Sequence, residues 1–365
     1  MPHPSPIMEV ARQAGATFSE SAGWEMPAHF GDSAAEYRTT LEGASLFDRS
    51  HQGKLELTGP EAPAFLHNLC TNDINNLPLG GGCEAYFCDR KAKVLGHALI
   101  YHVMLSGHQH ALLLDVTPGY AGKLLGHMDR HLISEQVEMA DRTEQFAQMH
   151  LAGPKAVEAL ERALGEPVPP LGEFQHMERT FGANATCHVR CNDPLGVPGF
   201  DIVCINGRAE GVWQLLLAHG AKPAGLDAHE VLRIEAGTPV YGVDIDENRF
   251  VMEVARPLRA VSYSKGCFLG QEPIVMARDR AGHVNRAFLG LKVLEGGPLP
   301  GGTKLRRDAD EVGIVTSSIQ SPRLGVPIAL GYVRRGHQEP GTRLQAETPA
   351  GQQPVEVLGF PPIPS

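Results

Sequence analysis

The chain is short of aromatic residues, of positive charge and of long apolar runs. Phe, Trp and Tyr make up 6% of its 365 residues, and Trp occurs twice. With 32 Lys and Arg against 42 Asp and Glu, the formal charge is −10. That sign argues against a direct duplex nucleic-acid partner, because phosphate contacts are made by cationic side chains. No apolar run approaches the ~18 residues a membrane helix requires, so no membrane span is expected. Met1 to Val10 lacks a basic segment followed by an apolar core, and no secretory signal is read there. Seven cysteines, an odd number spread widely, argue against a disulfide framework and for a reducing, cytoplasmic setting. The nearest pairs, Cys83/Cys88 and Cys187/Cys191, lack C-x-x-C spacing, so no metal site is expected. Neither G-x-G-x-x-G nor a P-loop occurs, which removes the usual anchor of a nucleotide.

What the chain has in abundance is turn chemistry. Its 41 Gly and 28 Pro, beside 42% hydrophobic residues, describe a turn-rich globular protein. The length is that of two or three domains. Residues 18–30 read as a turn-rich opening. Ser33-Ala34-Ala35-Glu36 has the capping-box pattern and starts a helix running to about Glu42. Lys54 to Thr58 alternates, with Leu55 and Leu57 on one face, as a half-buried strand does. Gly59-Pro60 ends it, and Ala62, Phe65, Leu66 and Leu69 follow at helical spacing. The same unit returns at Leu151-Ala152-Gly153-Pro154, followed by Ala156, Val157 and Leu160. Two copies predict two related α+β lobes and not a doubly wound sheet. Between the copies, 93–105 and 111–115 read as neighbouring strands. His108 and His110 sit at a Ser106-Gly107-His108-Gln109 turn, where solvated imidazoles are expected in preference to a metal. A helix is expected from the Asp227-Ala228-His229-Glu230 capping pattern. After Arg286, short alternating strands at 288–293, 304–307, 313–317, 329–333 and 343–347 predict a small β-barrel.

One stretch concentrates reactive groups: Tyr263-Ser264-Lys265-Gly266-Cys267-Phe268-Leu269-Gly270-Gln271-Glu272. A thiol reacts as thiolate, and a neighbouring ammonium such as Lys265 favours that form. Gly266 and Gly270 allow sharp turns and close approach to a ligand. The competing reading is a buried cysteine that acts as a small hydrophobe.

The K-G-C-F-L-G-Q-E run resembles the signature of YgfZ-type folate-binding proteins. These are relatives of the glycine-cleavage T-protein that serve iron–sulfur cluster assembly and tRNA modification. The resemblance spans nearly the whole chain and is strongest at 23–75, 226–290 and 311–345. It implies an α+β, T-protein-like three-domain arrangement around a central folate-sized opening. The two lobes would be 1–53 with 146–245, and 54–145 with 246–284, followed by a C-terminal β-barrel over 285–365. The implied ligand is tetrahydrofolate or a folate derivative. Asp201 falls where T-proteins carry a Glu that bonds the pterin, although Pro194 replaces a family Tyr. Leu232-Arg233-Ile234-Glu235-Ala236-Gly237 resembles the family's L-R-L-E-A-G, whose Arg helps to hold folate. A structural ion pair is the other reading of Arg233. Tyr241 to Glu247 resembles the family's Y-G-x-D-I-D-E, and Glu253 stands at the position of a later Glu. Gln271 and Glu272 are expected to orient the loop at the ligand.

Two departures from the T-protein pattern matter. T-proteins carry an acid where Cys267 stands and an Arg where Gln271 stands. Aligning their Gly-Gly-aliphatic run with 90–95 puts Gly96-His97 at their paired acids. Glycine accepts no proton, whereas an imidazole with pKa ~6.5 can. Losing a positioned acid or base costs about 10²–10⁴ in rate. The primary expectation is a folate-dependent accessory protein for iron–sulfur enzymes, with Cys267 as working thiol and Lys265 tuning it. Its partners would be iron–sulfur proteins or their assembly machinery, and it would act as a monomer. The alternative is a tetrahydrofolate-dependent aminomethyltransferase, or a related methyl-transfer enzyme, with His97 as substitute base.

Overall fold

Alternating strands dominate the structure, a computed structural model that describes residues 1–105 and 107–363. Ser106, in the turn singled out above, lies outside the described residues. Strands β1 (His3–Pro4), β2 (Thr17–Ser21) and β3 (Trp24–His29) form a small sheet where the sequence predicted only turns. Ala22 (φ 50°) and Gly23 (φ 81°) are both left-handed, the condition for a primed hairpin turn. An alanine in that role hid the hairpin from the sequence.

The helix Ser33–Glu42 is capped one residue earlier than predicted. Asp32 is the cap, accepting from Ala34 N at 2.9 Å. Glu36 does not reach back to the cap; it accepts instead from Phe30 N (2.6 Å) and Gly225 N (2.8 Å). The helix Leu226–Glu235 likewise begins ahead of the predicted cap at Asp227.

Strand β4 (Ser45–Asp48) opens one larger sheet and β5 (Gly53–Thr58) another. Strands β6 (Gly82–Cys88), β7 (Val94–Leu105), β8 (Gln109–Val116) and β9 (Glu138–Asp141) complete the five-stranded sheet, in the order β6-β7-β8-β5-β9. Strands β10 (Phe146–Ala152), β11 (His176–Phe181), β12 (Ala185–Cys191), β13 (Gly199–Ile205) and β14 (Lys222–Ala224) return to the first. Its order is β11-β12-β13-β10-β4-β14. The repeated strand–turn–helix unit has a steric basis. Gly59 (φ 109°) and Gly153 (φ 125°) follow β5 and β10, and each precedes a helix, Ala62–Leu69 and Ala156–Leu164. A Cβ at Gly59 would lie 2.1 Å from Gln136 O, and one at Gly153 would lie 2.3 Å from Gly43 O. Only glycine fits either corner. The second helix buries Ala156, Ala159, Leu160 and Ala163, one stripe at helical spacing, in a core that includes Met149, Leu151, Ile202 and Trp213.

Strands β15 (Arg286–Val293), β16 (Lys304–Arg307), β17 (Asp310–Ser321), β18 (Val326–Arg334), β19 (Arg343–Thr348) and β20 (Gly351–Gly359) close a barrel, in the order β15-β18-β17-β16-β19-β20. The fold is thus α+β with two lobes and a C-terminal barrel. The sixth barrel strand went unpredicted because Gly351 and Pro354 punctuate it.

By contact density the chain divides into two bodies. The first comprises residues 1–85 and 97–229, and so holds both larger sheets except the outer end of the β6–β7 hairpin. The second comprises that end, residues 86–96, with residues 230–365. Among the described residues no helix is long and apolar enough to cross a membrane.

Candidate functional site

In the first body, strand register lines up two rows of polar side chains. Lys54 on β5 faces Asp115 on β8, which faces Leu99 on β7. On the other sheet Arg190 on β12 faces Asp201 on β13, which faces His150 on β10. The rows are bridged by Arg190 Nη1 donating to Asp115 Oδ1 at 2.7 Å and by Gln148 Nε2 donating to Asp115 Oδ2 at 3.2 Å. Asp201 Oδ1 lies 2.9 Å from His150 Nδ1, and Oδ2 accepts from Asn192 Nδ2 at 2.7 Å. Lys54 Nζ donates to Ser50 O (2.9 Å) and Gln52 O (2.8 Å), and Asp48 accepts from Ser50 N at 2.9 Å and from the Ser5 hydroxyl.

Every charged member of this seam is buried: Asp48, Lys54, Asp115, Arg190 and Asp201. Burial drives the Lys54 ammonium down to about 8, against the pull of Asp115 and Asp48. Burial alone would raise the Asp201 carboxyl. The pull of His150, the hydrogen bonds from His150 and Asn192, and the charge of Arg190 outweigh it and hold the group below its ordinary value. The seam is not fully satisfied. His150 Nε2, Gln148 Oε1 and Arg190 Nε are buried and without a hydrogen-bond partner among the described residues. A buried polar atom left unmatched costs about 1–3 kcal/mol, so three in one seam describe an incomplete hydrogen-bonding set.

Beside the seam stands His97. It shares a face of β7 with Leu99, the partner of Asp115, because side chains two apart on a strand point the same way. Its Nε2 lies 2.9 Å from Glu84 Oε1, and the Glu84 side chain is 0% exposed. Sequence reasoning found His97 and Asp201 but missed Glu84, Lys54, Asp115, Gln148, His150 and Arg190. The available signal was a charged residue set between apolar neighbours within a strand, as in Leu113-Leu114-Asp115-Val116 and Val189-Arg190-Cys191.

In the second body, the loop 263–272 is pinned to the hairpin end. Cys88 Sγ donates to Leu269 O at 3.0 Å. Gly270 has φ 85°, and a Cβ there would lie 2.6 Å from both Cys88 Sγ and Asp89 O. Asp89 Oδ1 in turn accepts from Lys91 N and Lys93 N, each at 2.8 Å, which fixes the turn carrying the 90–95 run. Cys267 is exposed, whereas Lys265 is buried, with Nζ 4.7 Å from the centre of the Phe268 ring. Gln271 Nε2 reaches back to Gly266 O at 3.4 Å, and Glu272 is exposed at the start of the helix Gln271–Val275. Glu253 accepts from Phe250 N at 3.3 Å and lines an open cavity of about 470 Å³ with Arg256, Leu258, Arg259, Phe288 and Phe360.

Arg233 is committed elsewhere in this body. Nη1 donates to Asp244 Oδ2 (2.6 Å) and Thr238 O (3.3 Å), and Nε donates to Glu230 Oε2 (2.8 Å). Nη2 donates to Ser317 Oγ at 2.9 Å and to Glu230 Oε1. All five N–H groups have acceptors, an arrangement that matches the structural ion pair considered from the sequence. Asp244 also accepts from Thr316 Oγ1 (2.5 Å) and Ser317 Oγ (2.7 Å), tying the Leu226–Glu235 helix to β17. Among the described residues no group of three or more His, Cys, Asp or Glu is placed to hold a metal.

Two family models match the chain: the GCVT N-terminal domain over residues 7–259, and the glycine cleavage T-protein C-terminal barrel domain over residues 286–363. An aminomethyltransferase of Saccharopolyspora erythraea is 30% identical over 366 residues, covering 99% of this chain and 98% of that protein. An aminomethyltransferase of Rubrobacter xylanophilus is 30% identical over 329 residues, covering 90% and 86%. The crystal structure of the glycine cleavage system aminomethyltransferase T from Bartonella henselae superposes with a TM-score of 0.87 at 25% identity, covering 100% of this chain and 98% of that one.

Proposed function

The chain belongs to the glycine-cleavage T-protein family, and from that premise we propose that it transfers an aminomethyl or related one-carbon group to tetrahydrofolate. The observation that carries this reading is the incomplete polar seam around Asp201. A reduced pterin presents an edge of N–H donors beside a carbonyl acceptor. The carboxylates of Asp201 and Asp115 and the unmatched Gln148 Oε1 offer acceptors, while Arg190 Nε offers a donor. These residues fit the pterin. Arg233, with every donor committed, does not enter the grip. Bound folate would supply the two ring nitrogens that receive the one-carbon unit. The chain's part is to orient the pterin through Asp201, keep water from it, and manage protons.

Asp201→Asn removes the charge and keeps the shape. Tetrahydrofolate affinity by calorimetry should fall about ten- to a hundredfold, the worth of hydrogen bonds to a charged group. An unchanged affinity would count against the seam as the binding site.

The YgfZ-type reading keeps support from one observation: among the described residues Cys267 is the only exposed cysteine, and it sits on a pinned loop. In that reading the thiol serves iron–sulfur proteins or their assembly machinery, including tRNA-modifying enzymes. Cys267→Ala should then abolish rescue of iron–sulfur enzyme activity in cells lacking the factor, and full rescue would remove this reading.

A further inference from the structure

The geometry points to Glu84 and His97 as one proton-handling couple, with His97 the transfer group and Glu84 its positioning residue. This inference rests on the transfer reading above. The run 90–97, which ends in Gly96-His97, holds no carboxylate. The structure brings one from the neighbouring strand. Glu84 on β6 is wholly buried, and its Oε1 lies 2.9 Å from His97 Nε2. The His97 side chain is 16% exposed, enough for one edge of the ring to be reached.

A carboxylate at Nε2 makes that nitrogen the N–H and assigns proton uptake to Nδ1, since the partner of one ring nitrogen sets the state of the other. It also places a counter-charge beside the imidazolium once that forms. Position on the sheet agrees with this role. Leu99 is the cross-strand partner of Asp115, and His97 lies two residues from Leu99 on the same face. Diagonal neighbours of this kind stand about 7–8 Å apart, so the imidazole borders the seam assigned to the pterin without being part of its grip.

Aminomethyl transfer from a carrier thiol breaks one C–S bond and one C–N bond and forms two C–N bonds to the acceptor. The two protons of the acceptor's N5 and N10 end on ammonia and on the carrier thiol, and nothing is oxidised or reduced. His97 Nδ1 takes up one of these protons as the new C–N bond forms. It then returns the proton to the departing amine, a cycle that needs a base and an acid in turn.

The test is turnover of an aminomethylated lipoyl carrier with tetrahydrofolate, read as ammonia release, with kcat and KM determined separately. His97→Asn should lower kcat by about 10²–10⁴. Glu84→Gln should lower kcat about tenfold while leaving the KM for tetrahydrofolate unchanged. Glu84→Asp should recover part of that loss. Turnover with a normal rate in His97→Asn, or an unchanged kcat in Glu84→Gln, would overturn the couple alone. Absence of turnover in the unaltered protein would overturn the transfer reading and the couple with it. His97 is partly exposed, so its variant tests the couple even if Glu84→Gln fails to fold.

Discussion

The two bodies divide charge unequally. The first holds 26 Asp and Glu against 13 Lys and Arg, a balance of −13, while the second holds 16 against 19, or +3; together they give the −10 of the chain. The first also holds 15 of the 17 histidines. Each body buries a charged cluster, but the clusters differ in kind. The knot around Arg233 matches five donors with five acceptors. The seam around Asp201 leaves atoms of Gln148, His150 and Arg190 unmatched. A saturated cluster can only hold structure, because anything it grips must first displace an existing partner. An unsaturated one gains by binding. Motif resemblance alone ranks Arg233 and Asp201 together as ligand groups, whereas the clusters they stand in differ in how many donors and acceptors are matched.

The largest expected effect comes from breaking the saturated knot. Asp244 is 1% exposed and shares Arg233 with Glu230. Arg233→Met would strand that carboxylate, and stranding one member of a buried pair costs about 3–5 kcal/mol. Thermal unfolding should therefore drop by many degrees, while the folded fraction binds tetrahydrofolate as before. Adding Asp244→Asn should recover part of the loss, since the uncompensated charge is then gone. The contrast between the clusters collapses if Arg233→Met leaves stability untouched and weakens folate binding.

Much of the fold was readable because it rests on local rules. The Gly59-Pro60 and Gly153-Pro154 corners mark the repeated unit, and their glycines are sterically required. The barrel showed itself through alternation in five of its six strands, and Pro354 concealed the last. The site was readable only in part. Asp201, His97 and Cys267 stand in recognisable runs, but Glu84 meets His97 through pairing of β6 and β7. Asp115 and Arg190 are 75 residues apart and become partners only when two sheets are assembled. Neither relation has a signature in spacing. The Ala22-Gly23 hairpin and the Asp32 cap failed for a humbler reason, since an alanine took a conformation that glycine or asparagine usually fills and an aspartate outcompeted the serine after it.

A smaller effect should sharpen the contrast between the bodies through pH. In the first body burial holds the imidazoles of His176 and His127 to about 4 and that of His188 to about 3, with Arg190 repelling a proton from His176 and His188. Their unfolded values are near 6.5. Below that pH the unfolded chain binds more protons than the folded one, so the stability from burying neutral rings is fully present above pH 6.5. It is lost progressively as the pH falls toward 4 and 3. Allowing for their partial exposure, the three together should cost of order 2–4 kcal/mol between pH 7 and pH 5. The second body holds only two histidines, His283 and His337. Both tryptophans, Trp24 and Trp213, lie in the first body, so their fluorescence reports its unfolding separately. The urea midpoint seen by tryptophan should fall from pH 7 to pH 5, and His188→Gln should flatten that fall by roughly a quarter, its share of four such rings, since burial holds His51 well below its ordinary value too. An equal fall with His188 removed would place the acid sensitivity outside this cluster, and the histidine count would then say nothing about which body yields first.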